Sequence, residues 1–165
     1  LLGQPFSDEQ LQRALSAAHP PGRRQFLRQK EREYLLDVAH NPAAVGKMLE
    51  YIDSNPCKGR TLGLFSAMSD KDIPGMLQLA AGHIEAWFLA DQPGNARAAR
   101  AADVAAILRE QGQGMISVSK NLRQALRRAE GLMGPGDRLV VFGSFTTVAG
   151  VLPLLEKGRG RSGAA

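Results

Sequence analysis

Three polar clusters interrupt apolar stretches of this chain, and each could bind or activate a ligand. Asp37-Val38-Ala39-His40-Asn41-Pro42 follows Tyr34-Leu35-Leu36 and opens an amphipathic segment. An acid at such a junction can accept both hydroxyls of a ribose, and an imidazole can donate to phosphate or polarise an acyl oxygen. A plainer role also fits, in which Asp37 orients the turn and His40 is a satisfied partner. Asp70-Lys71-Asp72 follows Phe65-Ser66-Ala67-Met68-Ser69. Lys71 offers a point charge for carboxylate or phosphate, while the two acids suit helix capping. Gly143-Ser144-Phe145-Thr146-Thr147 follows the apolar run Leu139-Val140-Val141-Phe142. The glycine lets backbone approach a ligand; the hydroxyls behind it could bind that ligand or cap a helix. Arg23 and Arg97 could meet phosphate, and both also fit as ordinary surface arginines.

Several chemistries are excluded by pattern. Gly-x-Gly-x-x-Gly is absent, so no dinucleotide fingerprint is present. The Ser144 segment lacks the second glycine of a nucleophile elbow. No Cys/His/Asp cluster has zinc-ligand spacing. Gly-x-x-x-x-Gly-Lys-Ser/Thr occurs nowhere, so an ATP-using enzyme built from this chain would need its phosphate cradle from another domain.

The elements that must position these clusters alternate along the chain. Residues 7–18 read as a short helix, broken by His19-Pro20-Pro21-Gly22. A hairpin follows, with Gln25-Phe26-Leu27 and Tyr34-Leu35-Leu36 as strands around the charged tip Gln29-Lys30-Glu31-Arg32. Asn41 can cap the next helix and Pro42 fits its first position; Val45, Met48, Leu49 and Ile52 recur at helical spacing. Thr61-Leu62-Gly63-Leu64-Phe65 reads as a buried strand, residues 70–81 as a helix and residues 84–89 as a strand. A Gly/Pro/Asn loop over residues 91–95 precedes a helix over residues 101–111, a short strand over residues 115–118, and a helix marked by Leu122, Ala125, Leu126 and Ala129. Leu139-Val140-Val141-Phe142 is the most apolar strand and is expected at the centre. A last helix carries Val148, Val151, Leu152 and Leu155. This alternation predicts an α/β, Rossmann-like fold: a mostly parallel sheet with helices on both faces and an N-terminal β-hairpin strand. Right-handed crossovers then bring the loops after the strands to one edge, where open α/β sheets bind ligands.

Composition bounds the class. The chain has 165 residues, 44% hydrophobic and 22% charged, with a net charge of +5. That is enough for one ordinary domain with its own core. Aromatic residues are only 5%, and no nucleic-acid motif interleaves with the arginines, so the basic excess reads as solvated surface. No apolar run spans a bilayer, and Leu1-Leu2-Gly3-Gln4-Pro5 does not read as a signal peptide. A first residue other than Met suggests a fragment. The single Cys57 fits a reducing, cytoplasmic setting. The organisation expected is residues 1–20 as the end of a preceding domain with its linker, residues 21–156 as the main domain, and residues 157–165 as a disordered basic tail.

Taken in order, Pro21-Gly22-Arg23, Leu36-Asp37-Val38-Ala39-His40-Asn41-Pro42, Phe65-Ser66-Ala67-Met68-Ser69-Asp70-Lys71-Asp72-Ile73, Arg97-Ala98-Ala99 and Val141-Phe142-Gly143-Ser144-Phe145-Thr146-Thr147-Val148 resemble one family. It is the C-terminal domain of bacterial bifunctional dihydrofolate synthase/folylpolyglutamate synthases, within the Mur ligase superfamily. The resemblance covers residues 20–155. It implies an ATP-dependent ligase of folate biosynthesis and one-carbon metabolism, joining L-glutamate to dihydropteroate or a (poly)glutamylated folate through an acyl phosphate. The cofactors implied are ATP and Mg2+, with the phosphate loop and the metal ligands in an N-terminal ATPase domain and no metal held by this chain. By the same resemblance His40 is the catalytic residue facing the phosphate, Arg23 and Asp37 bind ATP/ADP, and Asn41, Lys71 and Ser144 bind glutamate. A hairpin of different length would pass the role of Arg23 to Arg24. Thr146 stands where relatives often carry His or Tyr, so no ring chemistry transfers to it. The partners implied are the N-terminal domain, L-glutamate, and dihydropteroate or reduced folate, with neither nucleic acid nor membrane, in a cytoplasmic monomer. The chain alone is expected to be inactive. Two other readings stay open: a non-catalytic α/β module that binds a nucleotide or anion, and a peptidoglycan-type ligase domain using another amino acid.

Overall fold

The computed structural model describes residues 24–164. The expected helix over residues 7–18 and Arg23 lie outside these residues. Strands β1 (Arg24–Gln29) and β2 (Arg32–Asp37) pair antiparallel from Arg24 opposite Asp37 to Gln29 opposite Arg32. Only Lys30 and Glu31 connect them, at φ 50° and 64°. Two left-handed residues give the connection a twist that matches the strands. Such turns favour Asn-Gly; with Lys-Glu in its place the sequence carried no turn signal, and the expected four-residue tip is half that length. The turn is tied down by Gly136 N–H, which donates to the Glu31 carbonyl at 2.8 Å.

After the hairpin the expected alternation appears. The elements are α1 (Pro42–Ser54), β3 (Thr61–Phe65), α2 (Ile73–Ala80), β4 (Ala86–Ala90), α3 (Ala101–Glu110), β5 (Ile116–Ser119), α4 (Leu122–Leu132), β6 (Arg138–Phe142) and α5 (Phe145–Ala164). The six strands form one sheet in the order β1-β2-β6-β3-β4-β5. Every pair except β1–β2 is parallel. All five residues of β6 are buried, and it lies inside the sheet between β2 and β3, as its apolar run predicts.

Side-chain alternation along each strand divides the core in two. Leu35, Phe65, Trp87, Leu89, Val140 and Phe142 face α1, α2 and α3, packing on Met48, Met76 and Val104. Tyr34, Leu36, Leu62, Leu64, Phe88, Leu139 and Val141 face α4 and α5, packing on Leu126 and Val151. Phe65, Trp87 and Phe142 make edge or tilted ring contacts with centroids 5.0–6.3 Å apart. Each such pair adds about 0.5–1.5 kcal/mol to plain burial.

Because α1 follows β2 on one face and α5 follows β6 on the other, the connections diverge between neighbouring strands β2 and β6. The same holds between β6 and β3. These are the topological switch points where a crevice opens at the strand C-terminal edge.

Two helices also differ from the sequence expectation. Helix α2 starts at Ile73 rather than at Asp70, because Asp72 caps it by accepting from Gly75 N–H at 3.0 Å. Helix α5 continues to Ala164, through residues 157–164 that were expected to be disordered. Once nucleated, a helix gains a hydrogen bond for each residue added, and Gln29 anchors this one by donating to the Leu155 carbonyl at 2.9 Å.

Candidate functional site

Four loops meet at the C-terminal edge of the sheet, and hydrogen bonds cross-link them. The first follows β2. Asp37 is buried; its carboxylate accepts from Ala39 N–H at 2.9 Å, closing a tight turn at the strand end. Arg24, its partner across the hairpin, places a guanidinium nitrogen 4.0 Å from the second carboxylate oxygen. That guanidinium also lies 4.7 Å above the Tyr51 ring of α1. A cation held on an aromatic face beside an acid at a strand end is suited to a nucleotide.

His40 is exposed, with Nδ1 3.1 Å from the Val38 carbonyl. A carbonyl can only accept, so Nδ1 carries the proton, and neutral His40 presents a lone pair at Nε2. Asn41 caps α1 by accepting from Ala44 N–H at 2.8 Å. Its side-chain oxygen is thereby engaged by the helix, while its NH2 group can be offered to a ligand.

The second loop follows β3. Ala67 O accepts from Ala99 N–H at 2.8 Å, and Ser69 N–H donates to Arg97 O at 2.7 Å. Arg97 contributes this loop contact through its backbone, while the residue as a whole is exposed. Lys71 is half-buried on the last turn before α2, and among the described residues it forms no ion pair.

The third loop follows β4. Asp91 caps α3 by accepting from Ala101 N–H at 2.7 Å. Gln92 was not singled out in the sequence, yet it reaches two other loops. Its Nε2 donates to Ser66 Oγ at 2.8 Å and to Thr147 Oγ1 at 3.3 Å. Its place directly behind a buried strand was the one signal available.

The fourth loop follows β6. Gly143 adopts φ 115°, and a Cβ there would lie 2.5 Å from Ser66 O and 2.9 Å from the Phe65 ring. Only glycine allows this approach between the ends of β6 and β3. Its N–H donates to Ala39 O at 3.0 Å, joining the fourth loop to the first. Ser144 is buried and caps α5 by accepting from Thr147 N–H at 3.1 Å. The hydroxyl of Thr147 in turn donates to Ser66 O at 2.7 Å. Asp37, His40, Asn41, Lys71 and Ser144 thus all stand on loops of this one edge, and Arg23 lies outside the described residues.

No group of three or more His, Cys, Asp or Glu able to hold a metal ion occurs among the described residues. A groove of about 510 Å3 lies elsewhere, along the beginnings of β4 and β5 and the end of α4. Its charged group, Arg128, is taken up by Val118 O at 2.7 Å and by two serine hydroxyls. The groove therefore presents no free chemistry comparable to that of the loop edge.

A mostly parallel sheet with polar loops cross-linked at its switch points defines a Rossmann-like α/β domain. The chain belongs to the family described as Mur ligase, glutamate ligase domain, whose model matches residues 22–145. It is 30% identical over 157 residues to dihydrofolate synthase/folylpolyglutamate synthase of Escherichia coli K12, covering 95% of this chain and 36% of that protein. It is 32% identical over 142 residues to a probable bifunctional folylpolyglutamate synthase/dihydropteroate synthase of Halobacterium salinarum, covering 86% of this chain and 17% of that one. Among solved structures it resembles E. coli FolC in complex with DHPP and ADP, at 29% identity and a TM-score of 0.75 over 95% of this chain and 36% of that one. It likewise resembles a bifunctional folylpolyglutamate synthase/dihydrofolate synthase with Mn, AMPPNP and L-glutamate bound, at 31% identity and a TM-score of 0.74 over 93% of this chain and 36% of that one. The chain thus spans about a third of the E. coli relative's length.

Proposed function

We propose that this chain is the C-terminal nucleotide- and amino-acid-binding domain of an ATP-dependent ligase that joins L-glutamate to dihydropteroate or to a (poly)glutamylated folate. ATP phosphorylates the pterin-linked carboxylate, giving an acyl phosphate and ADP. The amine of glutamate then attacks the acyl carbon, phosphate leaves, and the amine loses a proton as the amide forms. The observation that carries this reading is the cross-linking of four polar loops at the sheet's switch points, in a chain of the Mur ligase glutamate ligase family.

In this reading Asp37 holds the ribose hydroxyls, and Arg23, or Arg24 from the hairpin, contacts the nucleotide. His40 faces the reacting phosphate. Asn41, Lys71 and Ser144 line the glutamate site, with Lys71 supplying the charge that a carboxylate needs. In this reading the ligands for Mg2+ belong mainly to the N-terminal part of the parent protein, as does the phosphate loop. This domain's own contribution is to position the amine and shield the acyl phosphate from water. The parent protein is a cytoplasmic monomer in this account.

The test is Lys71→Ala in the full-length parent enzyme, following ADP release. The KM for L-glutamate is expected to rise at least about tenfold, the worth of one charge-assisted contact. The KM for ATP should stay within about twofold. Equal effects on both substrates sink the role of Lys71, and turnover that ignores L-glutamate sinks the reaction class.

A further inference from the structure

The hydroxyls behind the glutamate site form a chain whose proton direction is fixed by its buried end. Thr147 Oγ1 lies 2.7 Å from the Ser66 carbonyl, and a carbonyl accepts only, so the single proton of Thr147 is spent there. Ser144 Oγ lies 2.7 Å from Thr147 Oγ1. With the proton of Thr147 already used, Ser144 must be the donor in that contact. The remaining lone pair of Thr147 is met by Gln92 Nε2 at 3.3 Å. Ser144 Oγ also accepts from Thr147 N–H at 3.1 Å. Its last lone pair faces Thr146 Oγ1 at 3.1 Å, and in that contact only Thr146 can donate.

The protons therefore run from Thr146 to Ser144, from Ser144 to Thr147, and from Thr147 to the Ser66 carbonyl. Ser144 has its donor and both lone pairs engaged, and it is 3% exposed. Thr146, half-buried at the outer end, is the one hydroxyl of the three that is not buried; when its proton turns outward, Ser144 gives up one acceptor contact but keeps its donor contact to Thr147 and its helix cap.

We propose that Thr146 Oγ1–H, and not Ser144 Oγ–H, is the hydroxyl donor to a carboxylate of the incoming amino acid, with Ser144, Thr147 and Gln92 as positioning residues that hold it. This rests on the glutamate-ligase reading above and names the specificity contact within it. Ligand entry exchanges a neutral hydrogen bond, Thr146 to Ser144, for a charge-assisted one. Ser144 keeps the proton direction and the helix cap throughout.

The experiment uses full-length parent enzyme with saturating ATP and pterin substrate, titrating L-glutamate. Thr146→Val keeps the shape and removes the donor; it is expected to raise the KM for L-glutamate about tenfold or more. The KM for ATP should stay within about twofold, with an unchanged melting temperature. Thr146→Ser restores the hydroxyl and should return the glutamate KM to the wild-type value. A Thr146→Val enzyme with wild-type glutamate KM overturns the inference, and so does a Thr146→Ser enzyme as impaired as Thr146→Val, which would assign the effect to the methyl group. Wild-type enzyme with no response to L-glutamate overturns the underlying reading instead, and the inference falls with it.

Discussion

Asp137 gathers three donors at the opposite end of the sheet from the loops. Its carboxylate accepts from Gly134 N–H, Arg60 N–H and the Arg60 guanidinium, each at 2.7–2.8 Å. Burial alone would raise its pKa, but the Arg60 side chain and the two amides outweigh it and hold the carboxyl below its ordinary 3.8. A folded pKa below the unfolded one gives stability that is complete above the unfolded value and is lost as pH falls through the folded one. Asp137→Asn should therefore lower the unfolding free energy by roughly 2 kcal/mol at pH 7. That gap should narrow steadily as pH is taken below about 3.9, which urea denaturation at pH 7 and pH 3 will measure. Residues of this kind were poorly legible in the sequence. Gly134-Pro135-Gly136-Asp137 reads as a turn whatever Asp137 does, because its partner Arg60 is 77 positions away. Gln92 was hidden for the same reason: a glutamine in a Gly/Pro/Asn loop acquires meaning only when two other strand ends arrive beside it. Asp37, His40 and Asn41 were legible because an acid, an imidazole and an amide at one strand-to-helix junction are unusual in any context. Lys71 stood out because capping accounts for the acids beside it and not for a lysine.

At the scale of elements, periodicity carried the expectation well wherever a helix or strand buries a face. The rows Val45, Met48, Leu49, Ile52 and Ile73, Met76, Leu77, Ala80 are buried as their spacing predicts. Boundaries failed where two residues competed for one role, as Asp70 and Asp72 did for the start of α2, or where a turn lacked its usual residues, as Lys30-Glu31 does. The junction of β6 and α5 depends most on a single residue. Gly143 combines a left-handed φ with a backbone approach that no side chain tolerates. Gly143→Ala should cost about 3 kcal/mol or more, lowering the melting temperature by roughly 10 °C. Because Gly143 also tethers the first loop through Ala39, protein that still folds should bind both nucleotide and glutamate less well. A melting temperature within about 2 °C of wild type would show that the β6–α5 junction can relax.

For the whole molecule, the alternation of strands and helices announced an α/β sheet but not the order of its strands. That order is set by pairings such as Leu36 with Val141, far apart in the chain and invisible to local pattern. Nothing in the 165 residues supplies a phosphate loop, so the chain on its own is expected to release no ADP in response to L-glutamate and a pterin substrate. Full-length parent protein should release it under the same conditions, in a coupled assay. The position of β6 has a consequence for how the chain is made. Strands β2 and β3 never touch; β6 lies between them and bridges both. A ribosome delivers β6 last, so the nascent sheet waits as two separate pieces, β1–β2 and β3–β4–β5, each with apolar faces lacking their final partners. From Asp37 to Arg138 that wait lasts roughly 5–20 s at ordinary elongation rates. Over that interval the unfinished chain is a natural client for chaperones, and it ceases to be one when the last strand slides into the middle.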